Sequence, residues 1–194
     1  MAFVISRFLH QILLGSYYTQ RTLILTGTII RGDYSLPLPI WVAIELWDFG
    51  LLSVFYKGMT IQDKTILAAK YNLPDCQIME SWLRTLNYVR NVVAHHSRLW
   101  NRNLVDQPKL PKLGQVPEFD NFINAPLTSS RVYIVLCILA FFMRIICPRS
   151  TWPARIVELI NSFPSSTHVS ILDMGFSQNW QLDPFWELSL KSHH

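Results

Sequence analysis

A chain of 194 residues, 50% of them hydrophobic, can bury one sizeable core with a small appendage and leaves little room for a second full domain. The net charge of +4 and the pI near 9.1 tilt the protein toward an acidic partner, nucleic acid or a membrane surface, without choosing between them. Cys76, Cys137 and Cys147 are odd in number and lack CxxC spacing, which excludes a self-contained disulfide framework and suits the reduced thiols of a cytoplasmic protein.

Residues 1–35 form an atypical N-terminal segment: an amphipathic start, then the β-branched Thr22 to Ile30, closed by Arg31-Gly32-Asp33. Arg7 and His10 interrupt its apolar stretch and no small-residue cleavage site follows, so it does not read as a secretory signal. Pro39 opens a predicted buried helix over Ile40 to Tyr56, with Glu45 and Asp48 on one face as a polar edge rather than a catalytic dyad. Thr60 and Asp63 resemble a capping box for a helix over Ile61 to Tyr71, which Asn72-Leu73-Pro74 closes. Asp75 then caps the longest predicted helix, Cys76 to about Asn101, whose apolar stripe is Ile78, Trp82, Leu86, Val89 and Val93. Pro111, Gly114, Pro117 and Pro126 mark Lys109 to Pro126 as a long surface loop. A core helix is expected over Thr128 to Cys147 and another from Trp152 to Asn161, ahead of a tail of mixed Gly, Pro and Trp. Within the core helix, Val132 to Met143 is uninterrupted apolar sequence, yet about 12 residues fall short of the roughly 20 that span a bilayer, so burial in a core is the reading and no membrane partner is expected.

The long helix carries the chemistry. At about 100° per residue from Arg90, the side chains of Arg84, Asn87, Asn91, His95, Arg98, Asn101 and Arg102 fall between about 20° and 140°, a basic and amide-rich arc. His96 falls near 240°, among Val89, Trp82, Trp100 and Val93, and is expected to face the core. An imidazole can exchange protons near neutral pH and a guanidinium can hold a phosphate through a planar fork of donors. RNA supplies its own nucleophile, the 2′-hydroxyl, so His95 would handle the proton, Arg90 the developing phosphorane charge, and Asn91 the orientation of either. Arg84, Asn87, Arg98, Asn101 and Arg102 would bind RNA. Arg90 and His95 lie about 140° apart on the wheel, so they converge if the arginine reaches around or if a second copy of the chain contributes. Two plainer readings compete, a solvated basic face and a surface that binds RNA without cutting it. Metal spacing around His95 and His96 is lacking, so neither a metal nor a cofactor is expected.

From about Leu38 to Trp186 the chain resembles the Abi-like (abortive infection, AbiD/AbiF type) bacterial proteins of the HEPN superfamily. The residues that carry the resemblance are Pro39-Ile40-Trp41 with Glu45 and Asp48-Phe49-Gly50-Leu51-Leu52-Ser53, Ser81-Trp82-Leu83 with Leu86-Asn87-Tyr88-Val89-Arg90-Asn91, and Ala94-His95-His96-Ser97-Arg98-Leu99-Trp100-Asn101. Arg90-Asn91-Val92-Val93-Ala94-His95 fits the shortest form of the HEPN signature, and His96 fits the next register. The resemblance implies an all-α helical bundle of HEPN type over 36–194, a homodimer with a metal-independent endoribonuclease site at its interface, a 2′,3′-cyclic phosphate product and a role in phage defence. Residues 1–35 lack likeness to the helical region that relatives carry ahead of the Pro-Ile-Trp motif, so an inactive truncated copy is one alternative, and a non-catalytic RNA-binding or antitoxin-like module is the other.

Overall fold

The computed structural model describes residues 49–164 and 166–186. The predicted segment 1–35, the Glu45 and Asp48 edge and the start of the first predicted helix lie outside the described residues. What is described is helical: α1 (Phe49–Gly58), α2 (Ile61–Lys70), α3 (Cys76–Ala94), α4 (Pro126–Ser129), α5 (Val132–Ile146) and α6 (Trp152–Asn161), with short 3-10 turns at Pro117–Phe122, Ile171–Met174 and Trp180–Leu182. Among the described residues the only β pairing is an isolated bridge between Ser166 and Val169, so the all-α expectation holds. The chain divides into two compact units, Met1–Leu67 and Ala68–His194.

In the first unit, α1 buries Phe49, Leu52 and Tyr56. The Tyr56 hydroxyl donates to the Lys64 carbonyl at 3.4 Å, and the Lys64 ammonium stands 5.7 Å over the Tyr56 ring. The start of α2 is written in its cap: the Asp63 amide donates to Thr60 Oγ1 at 3.2 Å, and that hydroxyl donates to the Asp63 carboxylate at 2.7 Å. This is half of a capping box: the hydroxyl caps the Asp63 amide, and the carboxylate accepts from that hydroxyl instead of from the Thr60 amide.

The second unit is built on α3 and α5. Asp75 accepts from the Gln77 amide at 2.8 Å and so starts α3, as its position predicts. The helix buries Ile78, Met79, Trp82, Leu83, Leu86 and Val92, while Val93, assigned to the stripe, is 54% exposed. Trp82 is sealed in: its ring meets Phe119 at 4.9 Å and Phe141 and Phe142 at 5.6 Å, and its indole N–H donates to the Lys109 carbonyl at 2.9 Å. The stretch from Lys109 to Pro126 lies mostly at the surface, as expected, but it is pinned to the core and carries a 3-10 turn. Pro111, Val116, Phe119 and Phe122 are buried in it, because two phenylalanines in a Pro-rich segment are worth more against the core than in water.

The apolar run after Arg131 forms α5, with Val132 through Val135 and Cys137 through Met143 buried, so it is a core helix. No helix among the described residues is long and apolar enough to cross a membrane. The expected single helix from Thr128 is broken at Ser130 and Arg131, leaving α4 as a separate turn. The tail packs back onto α5: Phe176 meets Tyr133 at 4.2 Å, Phe185 meets Phe119 at 4.9 Å, and Trp186 donates to the Tyr133 hydroxyl at 3.1 Å.

Candidate functional site at the end of the long helix

The long helix stops at Ala94, about two turns before its expected end near Asn101. His95 is the C-cap, and His96 turns into the left-handed region at φ 51°. The His96 amide then donates to the Val93 carbonyl at 2.9 Å and the Ser97 amide to the Val92 carbonyl at 3.0 Å, the two bonds of a Schellman motif. The same closure ends α2, where Asn72 has φ 54° and the bonds run from Asn72 to Ala69 and from Leu73 to Ala68. Asn is a usual occupant of that position and marks the end in the sequence; a histidine is less diagnostic of a helix end and leaves no such mark.

Two expectations change. Residues beyond Ala94 do not continue the wheel, so Arg98, Asn101 and Arg102 belong to a loop and not to a helical arc. His96 does not face the core. It is exposed, because the left-handed turn carries it off the apolar stripe.

His95 is also exposed, at the open end of α3, with its amide bonded to the Asn91 carbonyl at 3.1 Å. Arg90 is half-buried and donates from Nη1 to Asn91 Oδ1 at 2.8 Å. Asn91 and His95 are four residues apart and so lie within about 40° of each other around the axis. The guanidinium is drawn onto Asn91, which stands one turn before His95. Asn91 accepts from the arginine through its side-chain oxygen.

The remaining candidates are dispersed. Arg84 is exposed on the helix and paired with Asp106, Nε to carboxylate 3.2 Å, a partner the sequence gave no reason to choose. At that exposure the pair is a weak, salt-sensitive contact that a phosphate can displace. Asn87 is half-buried, its Oδ1 without a hydrogen-bond partner among the described residues. Arg98 and Arg102 are exposed in the loop, which turns on itself through the Arg102 amide and the Leu99 carbonyl at 3.0 Å. Asn101 is half-buried, and its carbonyl accepts from Nη1 of Arg131. Arg131 was not singled out by the sequence, since nothing in its spacing relates it to residues 30 positions earlier. Trp82 is core, as its helical spacing predicts, and Trp100 is half-buried in the loop.

The end of α3 thus offers an exposed imidazole, a guanidinium bonded to Asn91 one turn earlier, and a short basic loop. The last-turn carbonyls of Val92 and Val93 are taken up by the Ser97 and His96 amides, so they present less negative charge to an approaching anion.

The family model described as Abi-like protein matches residues 18–101. The matched segment is Abi-like. It contains Arg84, Asn87, Arg90, Asn91, His95, Arg98 and Asn101, leaving Arg102 just outside. The match begins ahead of the Pro39-Ile40-Trp41 motif, so the family likeness takes in part of the 1–35 stretch, and it ends far short of Trp186. No curated protein and no solved structure matches the chain.

Proposed function

We propose that this Abi-like chain is a phage-defence protein of the abortive-infection type, and that the end of α3 is a metal-independent RNA-cleaving site of the HEPN kind. The observation that supports the proposal is the Arg90 to Asn91 bond, which fixes a guanidinium on the residue one turn before the exposed His95. His95 would take the proton from the 2′-hydroxyl of RNA as that oxygen bonds to phosphorus. Arg90 would stabilise the charge on the pentavalent phosphorane, and the P–O5′ bond would break with the 5′ oxygen taking a proton from solvent. The products are a 2′,3′-cyclic phosphate and a 5′-hydroxyl. Arg98 and Arg102 on the loop, with Arg84 and Asn87 on the helix and Asn101 at the loop's exit, would line the path of the strand. A second copy of the chain bringing its own α3 end alongside would complete the cleft.

The test is cleavage of RNA by purified protein in EDTA. His95→Ala and Arg90→Ala are each expected to lower the rate by about a hundredfold or more, the scale on which proton transfer and charge stabilisation act. Cleavage that survives both substitutions would refute the assignment. Salt-sensitive binding of RNA with no product from the wild-type chain would instead assign a surface that holds RNA without cutting it.

A further inference from the structure

The loop after α3 is fixed at both ends. At its entry the Schellman bonds fasten His96 and Ser97 to the last turn. At its exit the Leu104 amide donates to the Ser130 carbonyl at 2.9 Å, Leu104 is buried, and Arg131 donates to the Asn101 carbonyl. Between these points Arg98 and Arg102 stand exposed.

Arg131 is placed unlike the other basic residues near this loop. It has no carboxylate partner among the described residues, its Nε is buried, and a terminal nitrogen is spent on a backbone carbonyl. Its stem is held from behind by Gly175, whose φ is +90°: a β-carbon there would stand 2.8 Å from Arg131 Cβ, so only glycine lets the tail come this close. A charged donor on a carbonyl makes a stronger tie than a neutral one, and it is aimed at the residue next to Arg102.

We infer that Arg131 is a positioning residue for the basic loop: it holds Asn101 so that Arg98 and Arg102 are presented to a phosphate chain in a fixed arrangement, and the tail at Gly175 backs it. The functional half of this inference rests on the RNA site proposed above; the structural half does not. The loop is preorganised, so binding RNA does not have to meet the entropy of ordering it.

The test uses the full chain with Arg131→Met, Arg131→Gln and Arg131→Lys. Amide exchange is followed across 97–104 and across α3, and binding is measured with a 2′-O-methyl oligonucleotide, which cannot supply the nucleophile. Arg131→Met is expected to speed exchange in 97–104 while α3 stays protected, and to weaken binding by about tenfold, the scale of one charge-assisted hydrogen bond. Arg131→Gln is expected to do the same to a lesser degree, and it decides the matter if the Met variant does not fold. Arg131→Lys should restore most of the affinity, which a loss of packing would not predict. Unchanged exchange in 97–104 in the folded Met or Gln variant overturns the inference. If exchange changes as expected but the wild-type chain binds no RNA, the RNA site fails and the loop clamp stands.

Discussion

His96 holds a backbone conformation that costs an L-residue with a β-carbon about 1 kcal/mol or more, and it does so without a buried side chain to offset the strain. The consequence is a helix that ends where it does only because the two Schellman bonds to Val92 and Val93 outweigh that cost. Glycine removes the strain and gives back part of the gain as extra freedom in the unfolded chain. His96→Gly is therefore expected to stabilise the protein by about 0.5–1 kcal/mol, a rise of roughly 2–4 °C in Tm for each kcal/mol at this size. RNA cleavage should persist, since the proton is assigned to His95. A stabilised His96→Gly protein that no longer cleaves would move the role to His96. A lower Tm would show that the imidazole makes contacts worth more than the strain.

At the level of elements, α3 is anchored at its middle and open at its end. Trp82 is fully buried against Phe119, Phe141 and Phe142 and hydrogen-bonded to Lys109, so it ties the helix both to α5 and to the 109–126 segment. Trp82→Ala should cost about 3–5 kcal/mol, read from the urea midpoint. A loss below about 1 kcal/mol would mean that Phe119 and its segment do not close over the helix. The starts of α2 and α3 were legible in the sequence because capping is local chemistry: Thr60 with Asp63, and Asp75, stand where those helices begin. Ends were legible only where their residue type betrayed them, at Asn72 and not at His96. Extending the wheel past Ala94 put Arg98, Asn101, Arg102 and His96 on faces that do not exist. The burial of Phe119 and Phe122 was hidden for a related reason, since a non-helical segment has no period to show which side faces in. Of the candidate site, the residue types and their neighbourhood were legible. The swing of Arg90 onto Asn91 is a side-chain rotamer and lies below what spacing can report.

On the scale of the whole second unit, the tail works as a strap across α5, and its fastening contains a carboxyl group that dislikes its surroundings. Tyr133 donates to Asp183, Trp186 donates to Tyr133, and Arg144 donates to the Pro184 carbonyl while its guanidinium stacks 5.5 Å over Phe185. Burial holds the Asp183 carboxyl above its ordinary value of 3.8, against the opposing hydrogen bonds from Tyr133 and Asn121. Its neighbours Tyr133 and Cys137 are also raised, chiefly by burial, and stay protonated well past neutrality, so they do not titrate in the same window. With the folded value above the unfolded one, the native state binds more protons than the unfolded chain between the two. The contribution of Asp183 is then fully present below about 3.8 and is lost as pH rises through the raised folded value. Asp183→Asn keeps an acceptor for the Tyr133 hydroxyl and removes the ionisation. The variant should therefore gain stability relative to wild type as the pH is raised from about 4 toward 7, and the gain should level off once Asp183 is fully ionised in the native protein. Urea midpoints taken across that range decide it. A difference that stays flat with pH would mean the carboxyl is not desolvated, and hence that the tail does not lie closed over Tyr133.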